Sequence, residues 1–268
     1  MKKPKIELLE SDGVFKAVLK NVPVEVANSI RRIIMSEVRT IAIDDVFIFK
    51  NSSVLNDDTL AHRLGLVPLK TSRKKIKKLL EAVDETDYVT LVLNVSAKDR
   101  FVTVYSKDVK SKDRAVKPVS DEIEIAKLAP GQTIEAELWA RVGSGSEHAK
   151  WSPVSVAVVR GIPKISLSKE IPKNKVKKIV DICPKGVFEA SGGEVKVVDP
   201  LKCTLCMLCE KEFPDYVKVD IDESSSLLYF EPVGQLTVRE ILEDVFEILL
   251  GKLDNFMKSF KEVEVNVT

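Results

Sequence analysis

The residues of this 268-residue chain best suited to chemistry are its four cysteines, all of which fall between Cys183 and Cys209. Cys203, Cys206 and Cys209 form C-x2-C-x2-C, and Cys183 is followed by Pro184. Thiolates spaced this way on a tight loop can turn toward one iron–sulfur cube. In the bacterial ferredoxin run C-x2-C-x2-C-x3-C-P, three cysteines hold one cluster and the cysteine before proline holds the other. A single cluster therefore needs one triplet and one Cys-Pro, which is the half-set present here. Where the other triplet would stand are Lys173, Val176 and Ile179, and Phe213 stands before Pro214 in place of the other cysteine. None of these four can ligate iron as a cysteine does. The segment reads as a two-cluster ferredoxin domain that keeps one site. The favoured ligand is a [4Fe–4S] cluster on Cys183, Cys203, Cys206 and Cys209. A [3Fe–4S] cluster on Cys203, Cys206 and Cys209 is an alternative, as is zinc on the four thiolates, although such zinc sites usually show paired C-x2-C knuckles. Disulfides or free thiols are the bland reading. Clustered cysteines in a chain expected in a reducing cytoplasm argue against a disulfide scaffold.

No other residue set makes an active site. His62 and His148 are the only histidines and lie far apart. The basic run Arg73-Lys74-Lys75-Ile76-Lys77-Lys78 is followed at once by Glu81, Asp84, Glu85 and Asp87, and reads as a solvated face. Asp44-Asp45 and Asp57-Asp58 read as turn or cap residues. No phosphate-binding glycine loop and no nucleophile elbow occurs. With 42 basic and 41 acidic residues the net charge is +1, which argues against a chain whose main task is to hold nucleic acid by its phosphates. No run of 18 apolar residues is present, and the start MKKPKIELLE has no apolar signal core, so a cytoplasmic chain with no membrane partner is expected.

The elements that must carry these residues follow from periodicity. Ile6–Leu9 and Val14–Leu19 read as strands joined at Ser11-Asp12-Gly13. Asn21 is a candidate N-cap, with Pro23 in a first turn and an apolar helical stripe from Val26 to Val38. Ile41–Lys50 reads as a strand, and Thr59–Leu64 as a short helix capped by Asp57 or Asp58. Tyr88–Val109 reads as a hairpin turning near Lys98-Asp99-Arg100. Thr133–Val142 and Val154–Val159 read as strands joined by a mobile Gly143-Ser144-Gly145-Ser146 loop. Short strands are expected near Gly186–Glu189, Glu194–Val198 and Tyr216–Asp220. Thr237 and Glu240 fit a capping box ahead of the longest apolar stripe, Ile241, Val245, Leu249, Leu253, Phe256 and Phe260. That stripe is either core or wide enough to face a partner helix as well.

Three stretches carry a resemblance. Val26-Ala27-Asn28-Ser29-Ile30-Arg31-Arg32-Ile33-Ile34-Met35-Ser36 resembles a signature of the RNA polymerase α-like family, which includes the bacterial α N-terminal domain, the archaeal D subunit and the third-largest subunit of the eukaryotic nuclear enzyme. Leu60-Ala61-His62-Arg63-Leu64-Gly65-Leu66-Val67-Pro68-Leu69 and His148-Ala149-Lys150-Trp151-Ser152-Pro153-Val154 are similar to its archaeal and eukaryotic branch, and the C-terminal helix fits the same family. The resemblance covers essentially the whole chain, and some archaeal members carry a ferredoxin-like insert. It implies an α+β fold: a dimerisation domain from residues 1–40 and 226–268, an inserted β-rich domain 41–165, and a cluster-binding module 166–225. It also implies a non-catalytic assembly subunit. That subunit would pair with a small α-like partner, subunit L, and meet the small subunits N and P, and Arg31 and Arg32 would face the second-largest subunit. DNA would be met only through the assembled complex. The competing reading is a ferredoxin-like electron-transfer subunit of a redox complex.

Overall fold

The two N-terminal apolar runs pair as antiparallel strands β1 (Lys5–Glu10) and β2 (Phe15–Lys20), in register from Lys5 opposite Lys20 to Leu8 opposite Ala17. The computed structural model describes residues 3–10, 13–81, 88–168 and 170–267, so Ser11 and Asp12 of the expected turn lie outside it. Helix α1 (Val24–Ser36) buries Ala27, Ile30, Ile33 and Ile34 of the predicted stripe, whereas Val26 is exposed and the buried Val38 lies beyond the helix. Its cap differs from expectation. Asn21 sits at φ +56°, a left-handed conformation that asparagine tolerates, and its side-chain amide donates to the Lys3 carbonyl at 3.1 Å. The Pro23 carbonyl instead accepts the first helical N–H groups, from Val26 and Ala27.

Residues 39–144 alternate between strands and short helices. They form β3 (Arg39–Asn51), α2 (Asp57–Gly65), β4 (Leu69–Lys70), α3 (Arg73–Glu81), β5 (Val89–Ser96), β6 (Val102–Tyr105), β7 (Val109–Ser111), β8 (Lys117–Pro118), β9 (Glu124–Leu128) and β10 (Thr133–Ser144). A four-stranded sheet runs β3-β10-β5-β7, with β4-β8 and β6-β9 as separate pairs. One apolar core joins them, including Ile41, Ile43, Leu60, Leu64, Leu91 and Leu138.

Three expectations in this stretch are corrected. The Tyr88–Val109 hairpin does not form: β5 pairs with β10 and β7, while β6 pairs with β9. At the expected turn, Ala97 exchanges backbone hydrogen bonds with Gly131 and Gln132, which draws the end of β5 toward β10. The α2 cap is Asn56, whose side chain accepts from the Thr59 N–H at 3.0 Å; Asp57 and Asp58 occupy the first turn, where carboxylates complement the helix dipole. The expected Gly143–Ser146 loop is in part strand: Gly143 and Ser144 end β10, and the Ser146 N–H donates to the Ser36 carbonyl at 2.9 Å. Gly143 and Ser144 are buried at the end of β10, and a Cβ on Gly145 would lie 1.9 Å from the Met35 carbonyl oxygen. Glycine is needed there for close approach.

The remaining elements are β11 (Val154–Leu167), α4 (Lys173–Ile182), β12 (Phe188–Ser191), β13 (Glu194–Val197), α5 (Leu208–Glu212), β14 (Val217–Pro232) and α6 (Val238–Val267). β11 and β14 run longer than the alternation predicts and complete a sheet of order β1-β2-β14-β11, and β12 and β13 form a hairpin. Helix α4 is an addition to the expected elements. The chain divides into two compact units: residues 1–10, 16–28 and 158–229 form one, and 11–15, 29–157 and 230–268 the other. Among the described residues no helix is long and apolar enough to cross a membrane. The architecture is a mixture of helices and several small sheets.

Candidate functional site

All four cysteines line one pocket. Cys183 follows the last turn of α4, Cys203 closes a 3-10 turn at Pro200–Lys202, Cys206 lies on the loop beyond it, and Cys209 is in α5. The walls are apolar: Ile165, Ile182, Val187, Phe188 and Val219. The free space is about 10 Å³, room for a single water, so the thiols and not an open hole define the site. Cys203 and Cys209 are buried, Cys183 is half-buried and Cys206 is exposed, and none is in a disulfide. Burial pushes the Cys209 thiol above its usual range. The neighbouring Cys203 and Cys183 push it the same way, while the Glu210 amide pulls against them. Among the described residues, no three histidine, cysteine or carboxylate side chains stand ready as a single-ion site.

The loop bearing the triplet has unusual backbone. Leu205 and Met207 take φ of +57° and +59° without being glycine, and the Leu205 N–H donates to the Cys203 sulfur at 3.4 Å. Left-handed turns on either side of Cys206 let three successive cysteines face the same pocket. Such conformations are costly and persist where the surroundings over-determine them. Four sulfur donors in an apolar setting fit an iron–sulfur cluster by ligand softness, and an amide donor on one sulfur suits a thiolate ligand.

Of the four positions where a second ligand set would stand, three lie in the core. Val176 and Ile179 are buried on α4, and Phe213 is buried beside them in one cluster with Val187, Phe188 and Val217. Lys173 is exposed at the first residue of α4.

The second candidate surface is helical. In α6, Ile241 and Val245 are fully buried in their own unit. Leu249 is half-buried, and from Leu250 to Glu262 the helix is exposed, with Leu253 at 53%, Phe256 at 67% and Phe260 at 51%. Arg32 is exposed on α1, and the half-buried Arg31 donates to the Met35 sulfur at 3.5 Å.

The minor candidates have structural duties. His148 accepts from the Lys150 N–H at 3.1 Å and meets Trp151 edge-on. Asp44 is neither a turn nor a cap: it lies on β3 and binds both Arg141 and Lys150 at 2.6 Å. Burial opposes its ionisation, but hydrogen bonds from Lys150 and Arg141 win and lower its pKa. The basic run forms α3 and is largely committed to carboxylates. Arg73 binds Glu243, Asp244 and Glu247 of α6, Lys77 binds Glu247 at 2.7 Å, and Lys75 binds Asp113 at 2.7 Å. A residue with no local signal is Arg160 on β11, which donates to the backbone around Cys203; its partners lie more than 40 positions away.

A family model for the RNA polymerase Rpb3/RpoA insert domain matches residues 39–158. The DNA-directed RNA polymerase subunit Rpo3 of Methanosphaera stadtmanae is 34% identical over 97% of this chain and 99% of its own length. Subunit Rpo3 of Archaeoglobus fulgidus is likewise 34% identical, over 97% of this chain and 99% of its own. The DNA-directed RNA polymerases I and III subunit rpac1 of Dictyostelium discoideum is 32% identical over 97% of this chain and 82% of its own length. The likeness spans nearly the whole chain and agrees with the resemblance of the motifs on α1, α2 and the His148–Val154 segment; the chain belongs to the Rpo3 family of DNA-directed RNA polymerase subunits.

Proposed function

We propose that this chain is a non-catalytic assembly subunit of a multisubunit DNA-directed RNA polymerase, with the active site on other chains. The observation that carries this is the end-to-end likeness to subunits of that enzyme. The dimerisation domain comprises residues 1–40 and 226–268 and pairs with a small α-like subunit of the L type. The exposed apolar half of α6 supports this, because solvent-exposed aromatics repeated along one helix call for a covering surface. The small subunits N and P and the second-largest subunit join this platform, the last of them at Arg31 and Arg32. Purification of the tagged chain from native cells tests the reading. A set of about a dozen polymerase subunits is the expected result, and co-purification with an oxidoreductase instead would overturn it.

Within the 166–225 module, Cys183, Cys203, Cys206 and Cys209 hold an iron–sulfur cluster, [4Fe–4S] in preference to [3Fe–4S]. The supporting observation is that all four thiols line one apolar pocket on a loop wound through two left-handed residues. When bound, such a cluster supplies a covalent tie among segments distant in sequence together with a one-electron couple. The chain's own residues point to the tie as the use made here, since Val176, Ile179 and Phe213 fill the place of a second cluster with core. Iron and sulfide analysis of anaerobically purified protein tests this. About four irons are expected for a cubane. Three irons insensitive to Cys183→Ser would favour the smaller cluster, and stoichiometric zinc without iron would reject both.

A further inference from the structure

We infer that Arg160 is the positioning residue of the cysteine loop, presetting the backbone at Cys203 so that its thiol is aimed before a cluster binds. The purpose of this clamp rests on the cluster reading above, while its existence rests on geometry alone. Arg160 is half-buried on β11. Its Nη1 donates to the Cys203 carbonyl at 2.9 Å, and its Nη2 donates to the Leu201 carbonyl. A planar guanidinium holds two such acceptors at a fixed separation, which a lysine ammonium cannot do. Those carbonyls belong to the 3-10 turn Pro200–Lys202 and to its C-cap Cys203, and the turn is tied on its other side by Asp199, whose carboxylate accepts from the Leu201 N–H at 2.9 Å.

Every polar group of Cys203 thereby has a partner. Its N–H donates to the Pro200 carbonyl at 3.1 Å, its sulfur accepts from Leu205, and its carbonyl accepts from Arg160. Only the last of these comes from outside the loop. Cys183 differs, because its backbone bonds are local, to Val180 and Gly186. The left-handed residues Leu205 and Met207 follow directly on the clamped segment. Strained backbone needs an outside constraint to persist, and the two charge-assisted bonds from Arg160 supply it.

Arg160→Met keeps the bulk of the side chain and removes both donors, and Arg160→Lys keeps the charge but not the paired geometry. Two measurements are made on the full-length chain. One is the rate of iron release to a ferrous chelator after anaerobic reconstitution with iron and sulfide, together with the electron paramagnetic resonance line shape of the reduced cluster. The other is hydrogen exchange of the iron-free protein at the Leu205 and Ile179 amides. The Met variant is expected to release iron about tenfold faster, the scale typical of lost outer-shell support, with a broadened resonance and faster exchange at Leu205 but not at Ile179. The Lys variant is expected to recover only part of this. Wild-type iron release and wild-type Leu205 exchange in the Met variant would overturn the inference. If wild-type protein takes up no iron, the cluster reading fails, and Leu205 exchange still decides the clamp. Should the Met variant also lose protection at Ile179, the Lys variant carries the test. Impairment confined to Leu205 upholds the two-bond clamp, and wild-type behaviour overturns it.

Discussion

At the scale of single residues, two glycines make opposite predictions. Gly145 has an ordinary φ, and what it lacks is space. A Cβ there would lie 1.9 Å from the Met35 carbonyl oxygen and 3.0 Å from the carbon that bears it. Both are backbone atoms at the end of α1 and cannot turn aside. Gly145→Ala is expected to lower the stability of its unit by about 3 kcal/mol, the upper range for overpacking. Gly251 lies in mid-α6 with nothing within 4 Å of a built Cβ. Gly251→Ala is expected to raise stability by up to about 1 kcal/mol through helix propensity alone. Denaturant midpoints of the two variants beside wild type check both, and equal midpoints would reject the pair. That the four cysteines would gather at one place was legible at this scale, because residue type and spacing are local facts. Arg160 was not, since one arginine among 42 basic residues carries no mark until β11 is folded against the loop.

At the scale of elements, the start of α6 behaves as its sequence pattern says. Glu240 accepts from the Thr237 N–H at 3.0 Å and from its hydroxyl at 2.7 Å, and it also accepts from the Arg73 N–H at 3.0 Å. Burial raises the Glu240 pKa, but these hydrogen bonds outweigh it and leave the group below its usual 4.5. The folded state therefore holds this proton less tightly than the unfolded chain does. Its stabilising contribution is full above about pH 4.5 and is lost as the pH falls through the folded value. Asp244 has the opposite sign: burial raises it above 3.8 despite Arg73, so its ionised form costs stability at neutral pH. Glu240→Gln is expected to flatten the acid limb of thermal stability between about pH 5 and pH 3, as linkage requires. An unchanged limb would show that the cap does not titrate with folding. Further along the same helix, Leu249→Asp with Leu253→Asp is expected to abolish pairing with the small α-like partner, because each charge would be buried without a counter-charge. Leu253 is exposed here but Leu249 is half-buried, so Leu253→Asp alone is the control that leaves the chain's own fold intact. Co-elution of the double variant with that partner at wild-type stoichiometry would show the interface to be elsewhere. Strand pairing was the less legible part. Alternation tells which face of β6 is buried but not which strand lies beside it, and the bonds from Ala97 to Gly131 and Gln132 send β5 to β10 instead. Helix α4 went unread for a related reason. Spacing by threes serves a cluster loop and also one face of a helix, so Val176 and Ile179 pack as helical core at positions where cysteines would have pointed at iron.

At the scale of the whole molecule, the two units bury separate cores. One contains Ile41, Leu64, Leu91 and Leu138; the other gathers Val176, Ile179, Phe188, Phe213 and Val217 around Cys203 and Cys209. The second set is small for the stretch of chain it must hold, and two of the buried residues in it are the candidate ligands themselves. A module of that size is marginal by its own apolar burial, and ligation that forms only in the folded chain can supply the remaining stability. Changing Cys203, Cys206 and Cys209 together to Ser is therefore expected to open the 166–225 segment to protease while the 39–144 core stays resistant. Capture of the proposed small α-like partner should persist, because the exposed part of α6 lies outside that segment. Limited proteolysis and partner pull-down of the triple variant, beside wild type purified without oxygen, give the answer. A triple variant whose 166–225 segment stays protected, yet whose assembled polymerase loses a response to redox conditions that the wild type shows, would make the cluster a sensor. The core formed by Val176, Ile179 and Phe213 would then be what holds the module, with no help needed from iron.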